Sequence, residues 1–329
     1  MRRLPAEFEE QSFVQVIFPH KNSDWVCCLE DAEKNFIEII STITKYQKCL
    51  VVCDEVEYVK SKFSELKNLH FVEAKTNDTW ARDCSAITIT VDDEPLLLDF
   101  TFNGWGGKYD AELDNKLTQS ISSTYNAPIK SFDYILEGGA IDCNGAGTIM
   151  TTATCIFHEN RNDDLHLGLL KKALAAEKII VLSNGHLSGD DTDGHIDTIA
   201  RFVDEKTIAY VQCLDKEDEH YDEFLKMEEE LERFSDQNKD SFHLIPLPFP
   251  EAIYENKKRL PATYANFLVI NGAVLMPTYN DDNDDLAQAI LQRAFPKHDI
   301  LPIDCSTLIR QGGSLHCVTM QFPKGVKLL

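Results

Sequence analysis

Gln311-Gly312-Gly313-Ser314-Leu315-His316-Cys317 places a thiol directly behind a pair of glycines near the end of a 329-residue chain. Paired glycines let a backbone turn sharply or approach a ligand closely, so this stretch reads as the wall of a cleft that presents Cys317. Three other polar clusters share that turn-like setting beside apolar strand material: Trp80-Ala81-Arg82-Asp83, Glu137-Gly138-Gly139-Ala140 and Asp193-Gly194-His195-Ile196-Asp197. If the last is extended, His195 and Asp197 emerge on one face and put a base beside a carboxylate.

Around these clusters, strand-like runs recur at Phe13 to Phe18, Cys49 to Cys53, Ala86 to Val91, Leu96 to Asp99, Thr148 to Thr152, Ile179 to Leu182, Ile208 to Tyr210, Phe267 to Ile270 and Ala273 to Met276. Helical apolar stripes lie between them, at Phe36-Ile39-Ile40-Ile43, Tyr221-Phe224-Leu231-Phe234 and Leu286-Ala289-Ile290-Ala294. The class is mixed α/β. No linker or change of composition divides the chain, so a single domain over residues 1–329 is expected. The acidic run Asp281-Asp282-Asn283-Asp284-Asp285 reads as a helix start, where carboxylates favour the positive end of the dipole.

A net charge of -23 argues against a nucleic-acid partner and suits a small cation. Glu7, Glu9 and Glu10 follow the basic N-terminus where a signal peptide needs apolar residues, and no apolar run reaches membrane-spanning length. The expectation is a cytoplasmic protein whose ten scattered cysteines are mostly buried thiols. The expected partners are a small cationic molecule and copies of the chain itself, as a homodimer or higher homo-oligomer.

Each candidate also has a structural reading: a lone cysteine as a small hydrophobe, Glu137 as partner of an arginine, Trp80 as core packing. A metal reading is weakened because Cys-x-x-Cys and His-x-x-x-His pairs are absent, so neither metal nor organic cofactor is expected.

Taken in order, the clusters resemble the agmatine deiminases, a branch of the guanidine-modifying superfamily that also holds arginine deiminases and bacterial peptidylarginine deiminases. The match takes in Pro5-Ala6-Glu7-Phe8, Phe18-Pro19-His20, Trp80-Ala81-Arg82-Asp83, Phe102-Asn103-Gly104-Trp105-Gly106 and Leu136-Glu137-Gly138-Gly139. It continues through Asn160-Arg161-Asn162, Asp191 to Asp197, Pro261-Ala262-Thr263-Tyr264-Ala265-Asn266-Phe267 and Gly312 to Cys317. The chain departs from the family pattern at Cys84-Ser85-Ala86 and at Gln311, positions that bear on the substrate entrance.

The resemblance implies a five-bladed pseudo-symmetric α/β propeller of ββαβ-type units with the active site in its central channel. It implies hydrolysis of agmatine to N-carbamoylputrescine and ammonia, a step of putrescine biosynthesis. Cys317 is implied as nucleophile and His195 as acid and base, with Glu137 orienting His195 and favouring its protonated state. Asp83 and Asp197 are implied as the guanidinium clamp, with Trp80 along the substrate chain and Arg82 turned away. Other readings are a peptidylarginine or arginine deiminase, a noncatalytic polyamine-binding module, and a metal-dependent amidinohydrolase.

Overall fold

The computed structural model describes residues 2–65, 67–162 and 166–329. All nine expected strands and all three expected helices are present, the helices as Leu29–Ile43, Tyr221–Arg233 and Asp284–Ala294. The acidic run does open a helix: Asn283 precedes its first turn, which carries Asp284 and Asp285.

Among the described residues, five sheets repeat one pattern, an antiparallel pair followed by a parallel neighbour. Ile87–Val91 pairs antiparallel with Glu94–Thr101, which pairs parallel with Ile129–Ile135. The next three sheets run Asp142–Cys143, Thr148–Thr152, Lys178–Leu182, then Ala200–Asp204, Thr207–Gln212, His243–Pro248, then Leu268–Ile270, Ala273–Thr278, Asp299–Asp304. The fifth joins the two ends of the chain: Thr319–Pro323 pairs antiparallel with Gln11–Ile17, which runs parallel to Lys48–Cys53. Each parallel step needs a crossover, and Leu29–Ile43, Tyr221–Arg233 and Asp284–Ala294 supply three of them.

The strands that sequence periodicity missed are mostly the outer members of these sheets. His243–Pro248 carries Pro246 and Pro248, and Asp299–Asp304 carries Pro302 and two charged ends. Proline cannot donate to a ladder, so such runs do not read as strands although an edge accommodates them. The inner strands are mostly buried and rich in apolar residues, and Val14, Val16, Val51, Val52, Val274 and Leu275 belong to one buried core.

The first strand of each repeating sheet is entered from a turn bearing a polar cluster. Residues 80–83 precede Ile87–Val91, Glu137 to Gly139 precede Asp142–Cys143, and His195 to Asp197 precede Ala200–Asp204. Thr263 to Asn266 precede Leu268–Ile270, and Ser314 to Cys317 precede Thr319–Pro323. Clusters far apart in sequence thereby arrive at one place.

Candidate active site

That place is the floor of a cavity of about 570 Å³, where Cys317 and Asp83 meet the walls formed by Trp80, Trp105, Gly312 and Gly313. Residues 81–84 form a single helical turn begun by Trp80, so Trp80 and Asp83 face the same cavity, as a turn but not a strand allows. Trp80 is also buried against Trp25, with ring centroids 5.9 Å apart, and its indole N–H donates to Asp78 at 2.9 Å. It is core packing and cavity wall at once.

Gly313 is glycine because Trp80 leaves no room: a Cβ there would lie 2.3 Å from the indole Cζ3. Gly139 marks the centre of the polar cluster, since a Cβ there would lie 2.5 Å from His195 Nδ1, 2.9 Å from Asp83 Oδ1 and 3.1 Å from Asp197 Oδ2. Asp83 is held from two sides, by the Gly139 amide and the Trp105 indole, each at 3.0 Å. The Cys317 thiol sits 3.4 Å from Asn266 Oδ1 and 4.0 Å from Asp197 Oδ2.

The expected extended geometry at His195 is not what forms. Asp193 and Gly194 take positive φ, and Ile196–Thr198 is a 3-10 turn capped by His195. Both side chains are nevertheless fully buried, and Asp197 is close enough to act electrostatically on the imidazole. Neither ring nitrogen of His195 makes a hydrogen bond to a described residue, and Asp197 Oδ1 is likewise unpaired. Buried polar atoms are rarely left so, and three around one space indicate a missing hydrogen-bonding group.

The electrostatics of the site disfavour the charged forms of Cys317, Asp83 and His195. Burial, then Asp197 and Asp83, push the Cys317 thiol well above its ordinary value. Burial, Asp197 and Glu137 push Asp83 up as well. Burial lowers His195 to about 3, against the pull of Asp197. Glu137, expected to orient His195 and favour its protonated state, makes no hydrogen bond to it, and its carboxylate accepts from Arg161 Nε at 2.9 Å. Arg161 also reaches Asp193 and the Thr192 carbonyl, and its charge further lowers His195.

Among the described residues, one potential metal-ligand trio occurs, Glu137, Cys155 and His195 with ligand atoms within 4.8 Å. Its carboxylate is already occupied by the Arg161 guanidinium, a competing cation. Arg82 faces away from the cavity, as expected, bonding Gln321 at 2.6 Å and Glu7 at 3.3 Å. Of the two departures from the family pattern, Gln311 lines the cavity and donates to the Asp24 carbonyl, whereas Ser85 is turned to Gln15.

Residues 3–323 match the family model described as Porphyromonas-type peptidyl-arginine deiminase. The chain belongs to the Porphyromonas-type peptidyl-arginine deiminase family. Relatives of this deiminase family chain include a solved protein provisionally assigned as a peptidyl-arginine deiminase, 44% identical with TM-score 0.95 over 98% of this chain and 99% of that one. A cysteine-to-serine variant of Campylobacter jejuni agmatine deiminase with substrate bound is 40% identical, with TM-score 0.92 over 99% and 97% of the two chains. A Marinomonas protein provisionally named an agmatine deiminase is 30% identical across 98% of this chain and 94% of its own length.

Trp105, Arg161, Asn266, His316 and Glu7 all touch the deiminase site or its supports but were given no role from sequence. Each lies inside a matched motif, and that membership was the available signal.

Proposed function

We propose that the chain is an agmatine deiminase that hydrolyses the guanidinium of agmatine to N-carbamoylputrescine and ammonia. The observation that carries this reading is the convergence on Gly139 of Asp83, Asp197 and His195 beside the Cys317 thiol, with Asp197 Oδ1 and both His195 ring nitrogens making no hydrogen bond to a described residue. A planar cation with parallel N–H groups satisfies paired carboxylates in charge-assisted bonds. The substrate-bound agmatine deiminase relative supports the same substrate.

In this reading Asp83 and Asp197 hold the guanidinium, and its charge offsets the carboxylates that keep the thiol protonated. Cys317 then gives its proton to neutral His195 as sulfur bonds to the guanidinium carbon. His195 returns that proton to the departing nitrogen, the C–N bond breaks, and ammonia leaves a cationic amidino-thioether. Water next loses a proton to His195 and attacks the same carbon. Collapse breaks the C–S bond, yields the ureido product and restores the thiol, with one proton released to solvent. Glu137 acts by fixing Arg161 beside His195. The pathway served would be putrescine formation in the cytoplasm.

For the architecture, we propose that the five repeating sheets are blades around a pseudo-fivefold axis, with the five polar turns at its centre. The repeated pairing pattern and the similarity to the solved agmatine deiminases support it.

The cavity favours a substrate with a second cation. Asp24, Asp78, Asp110, Asp114 and Asp191 line it, while its cations Lys108, Lys258 and Arg310 pair with Asp193, Asp191 and Glu255. A peptidyl arginine remains the second reading because of the 44% identical neighbour. The test is incubation of chelator-treated protein with agmatine while ammonia, urea and N-carbamoylputrescine are measured. Ammonia and carbamoylputrescine in equal amounts are expected; urea, or activity only with added metal, overturns the cysteine mechanism.

A further inference from the structure

His316 stands immediately before the nucleophile yet is buried away from the cavity, between two carboxylates. Its Nδ1 lies 2.6 Å from Asp197 Oδ2 and its Nε2 lies 2.7 Å from Glu7 Oε2. With both carboxylates ionised they only accept, both ring nitrogens then donate, and an imidazole that donates twice is cationic. Glu7 is anchored in turn: its Oε1 takes Arg201 at 3.0 Å and the Val269 amide at 2.8 Å, and its Oε2 also takes Arg82 at 3.3 Å. Arg201 reaches on to Asp142 at 3.1 Å. Three cations, Arg82, Arg201 and His316, therefore face three anions, Glu7, Asp142 and Asp197, in one buried array.

We propose that His316 is a positioning residue, an imidazolium that keeps Asp197 ionised and turned toward the substrate cation while the partner carboxylate Asp83 carries the proton of the empty site. This rests on the deiminase reading and extends it to the division of labour within the clamp. Two carboxylates that both border Gly139 cannot both ionise cheaply in a desolvated site. The asymmetry comes from behind. Asp83 receives neutral donors, the Gly139 amide and Trp105 indole, whereas Asp197 receives a charged one. In keeping with that, burial raises Asp197 but the His316 bond and charge outweigh it and hold the group below its ordinary value, while Asp83 goes up. The titratable and charged groups that face Asp197 are His316, His195, Arg201, Arg82, Asp83, Asp190 and the Cys317 thiol. Those acting on His316 are Asp197, Glu7 and Asp142, with Arg82 on its carbonyl.

The reaction then requires one carboxyl proton to leave before the cation is clamped, not two. The test compares kcat and kcat/KM against pH for the wild type, His316→Asn and His316→Gln, using whichever guanidino substrate the wild type turns over. Asparagine reaches the Nδ1 position and keeps a neutral donor to Asp197; glutamine reaches the Nε2 position and keeps one to Glu7. In the wild type the acid limb of kcat/KM should fall tenfold per pH unit. In both variants it should move to higher pH by about one to three units, the range for loss of an adjacent opposite charge, and steepen toward a hundredfold per unit. A uniform loss with limb and slope unchanged would mean that His316 is only packing.

A readout free of variants and of turnover is nitrogen-15 NMR of the ring. His316 should show two protonated nitrogens throughout the pH range of activity. A single protonated nitrogen overturns the proposal even if the variants fail to fold. If the wild type turns over no guanidino compound, the deiminase reading fails while the ring spectrum still decides the charge.

Discussion

Cys317 Sγ rests 4.0 Å from Asp197 Oδ2, so the proposed nucleophile and one arm of the carboxylate pair share a single desolvated space. In the empty protein this contact works against reactivity, because a neighbouring negative charge disfavours the thiolate.

Asp197→Asn should separate reactivity from turnover. Burial raises the thiol first and Asp197 second, so removing that charge lowers the thiol pKa. At any pH below that pKa the thiolate fraction then rises, and alkylation of Cys317 by iodoacetamide should quicken several-fold. Turnover should fall by about a hundredfold or more, since the amide turns a donor toward the guanidinium and misplaces its carbon. Slower alkylation, read by peptide mass, would show that Asp197 does not set the thiol's state.

Cys317→Ser should abolish turnover and leave binding. A serine hydroxyl is a weak nucleophile at its free pKa, and the exchange barely alters volume. Calorimetry should still detect agmatine, and no covalent adduct should appear on any of the other nine cysteines, among which Cys49, Cys53, Cys84, Cys143, Cys155, Cys213 and Cys305 are buried. An adduct elsewhere would relocate the nucleophile.

Gly139→Ala should fill the substrate space. Its methyl carbon would press on His195, Asp83 and Asp197 at 2.5 to 3.1 Å, so either the carboxylates part or the guanidinium loses its place. We expect kcat/KM to drop by about a hundredfold or more, the scale of a 1 Å misplacement. Full activity would mean that the polar cluster is not where substrate reacts.

Asp78→Asn should stabilise the protein increasingly as pH rises from 3.8 to about 7, with the full effect above that. Burial, then Asp24, raises Asp78 to about 7 from an ordinary 3.8. A carboxyl whose folded pKa is raised contributes stability that is present below the unfolded value and lost as pH climbs through the folded one. Between about 4 and 7 the native protein therefore becomes progressively less stable on this account. Melting temperatures of variant and wild type should match near pH 4 and diverge above pH 7, with the variant higher. An equal difference at both pH values would rule out the ionisation as its cause.

Agmatine should be preferred over free arginine and over a peptide ending in arginine. Arg82, the basic residue within the matched clusters that could have met a carboxylate, is committed to Glu7 and Gln321. The ratio of kcat/KM values measures this discrimination directly. A preference for the peptide would keep the chemistry and change the substrate.

Sequence periodicity revealed the inner strands because they are apolar and bounded by turns, and the helices because their stripes are regular. Apolar patterning could not reveal His243–Pro248 or Asp299–Asp304, whose edge positions tolerate proline and charge. For the site, glycine pairs and a thiol in turn-like settings were visible, and the ordered motifs assigned them roles. The partner of Glu137 was not visible. Arg161 lies 24 positions away and is chosen by the packing of two loops, which no local pattern encodes.

By itself, then, the sequence singled out the candidate reacting groups: Cys317, His195, Asp83 and Asp197 sit in short motifs whose residue types suit a guanidinium and a covalent step. Only the tertiary structure decided their states. Gly139 brings the carboxylates near enough to contest a proton, burial makes that contest severe, and Glu7, 309 residues from His316, anchors the imidazole that favours one of them. Charge states in a desolvated site depend on distances among all the groups present, and those distances exist only once five separate turns have met.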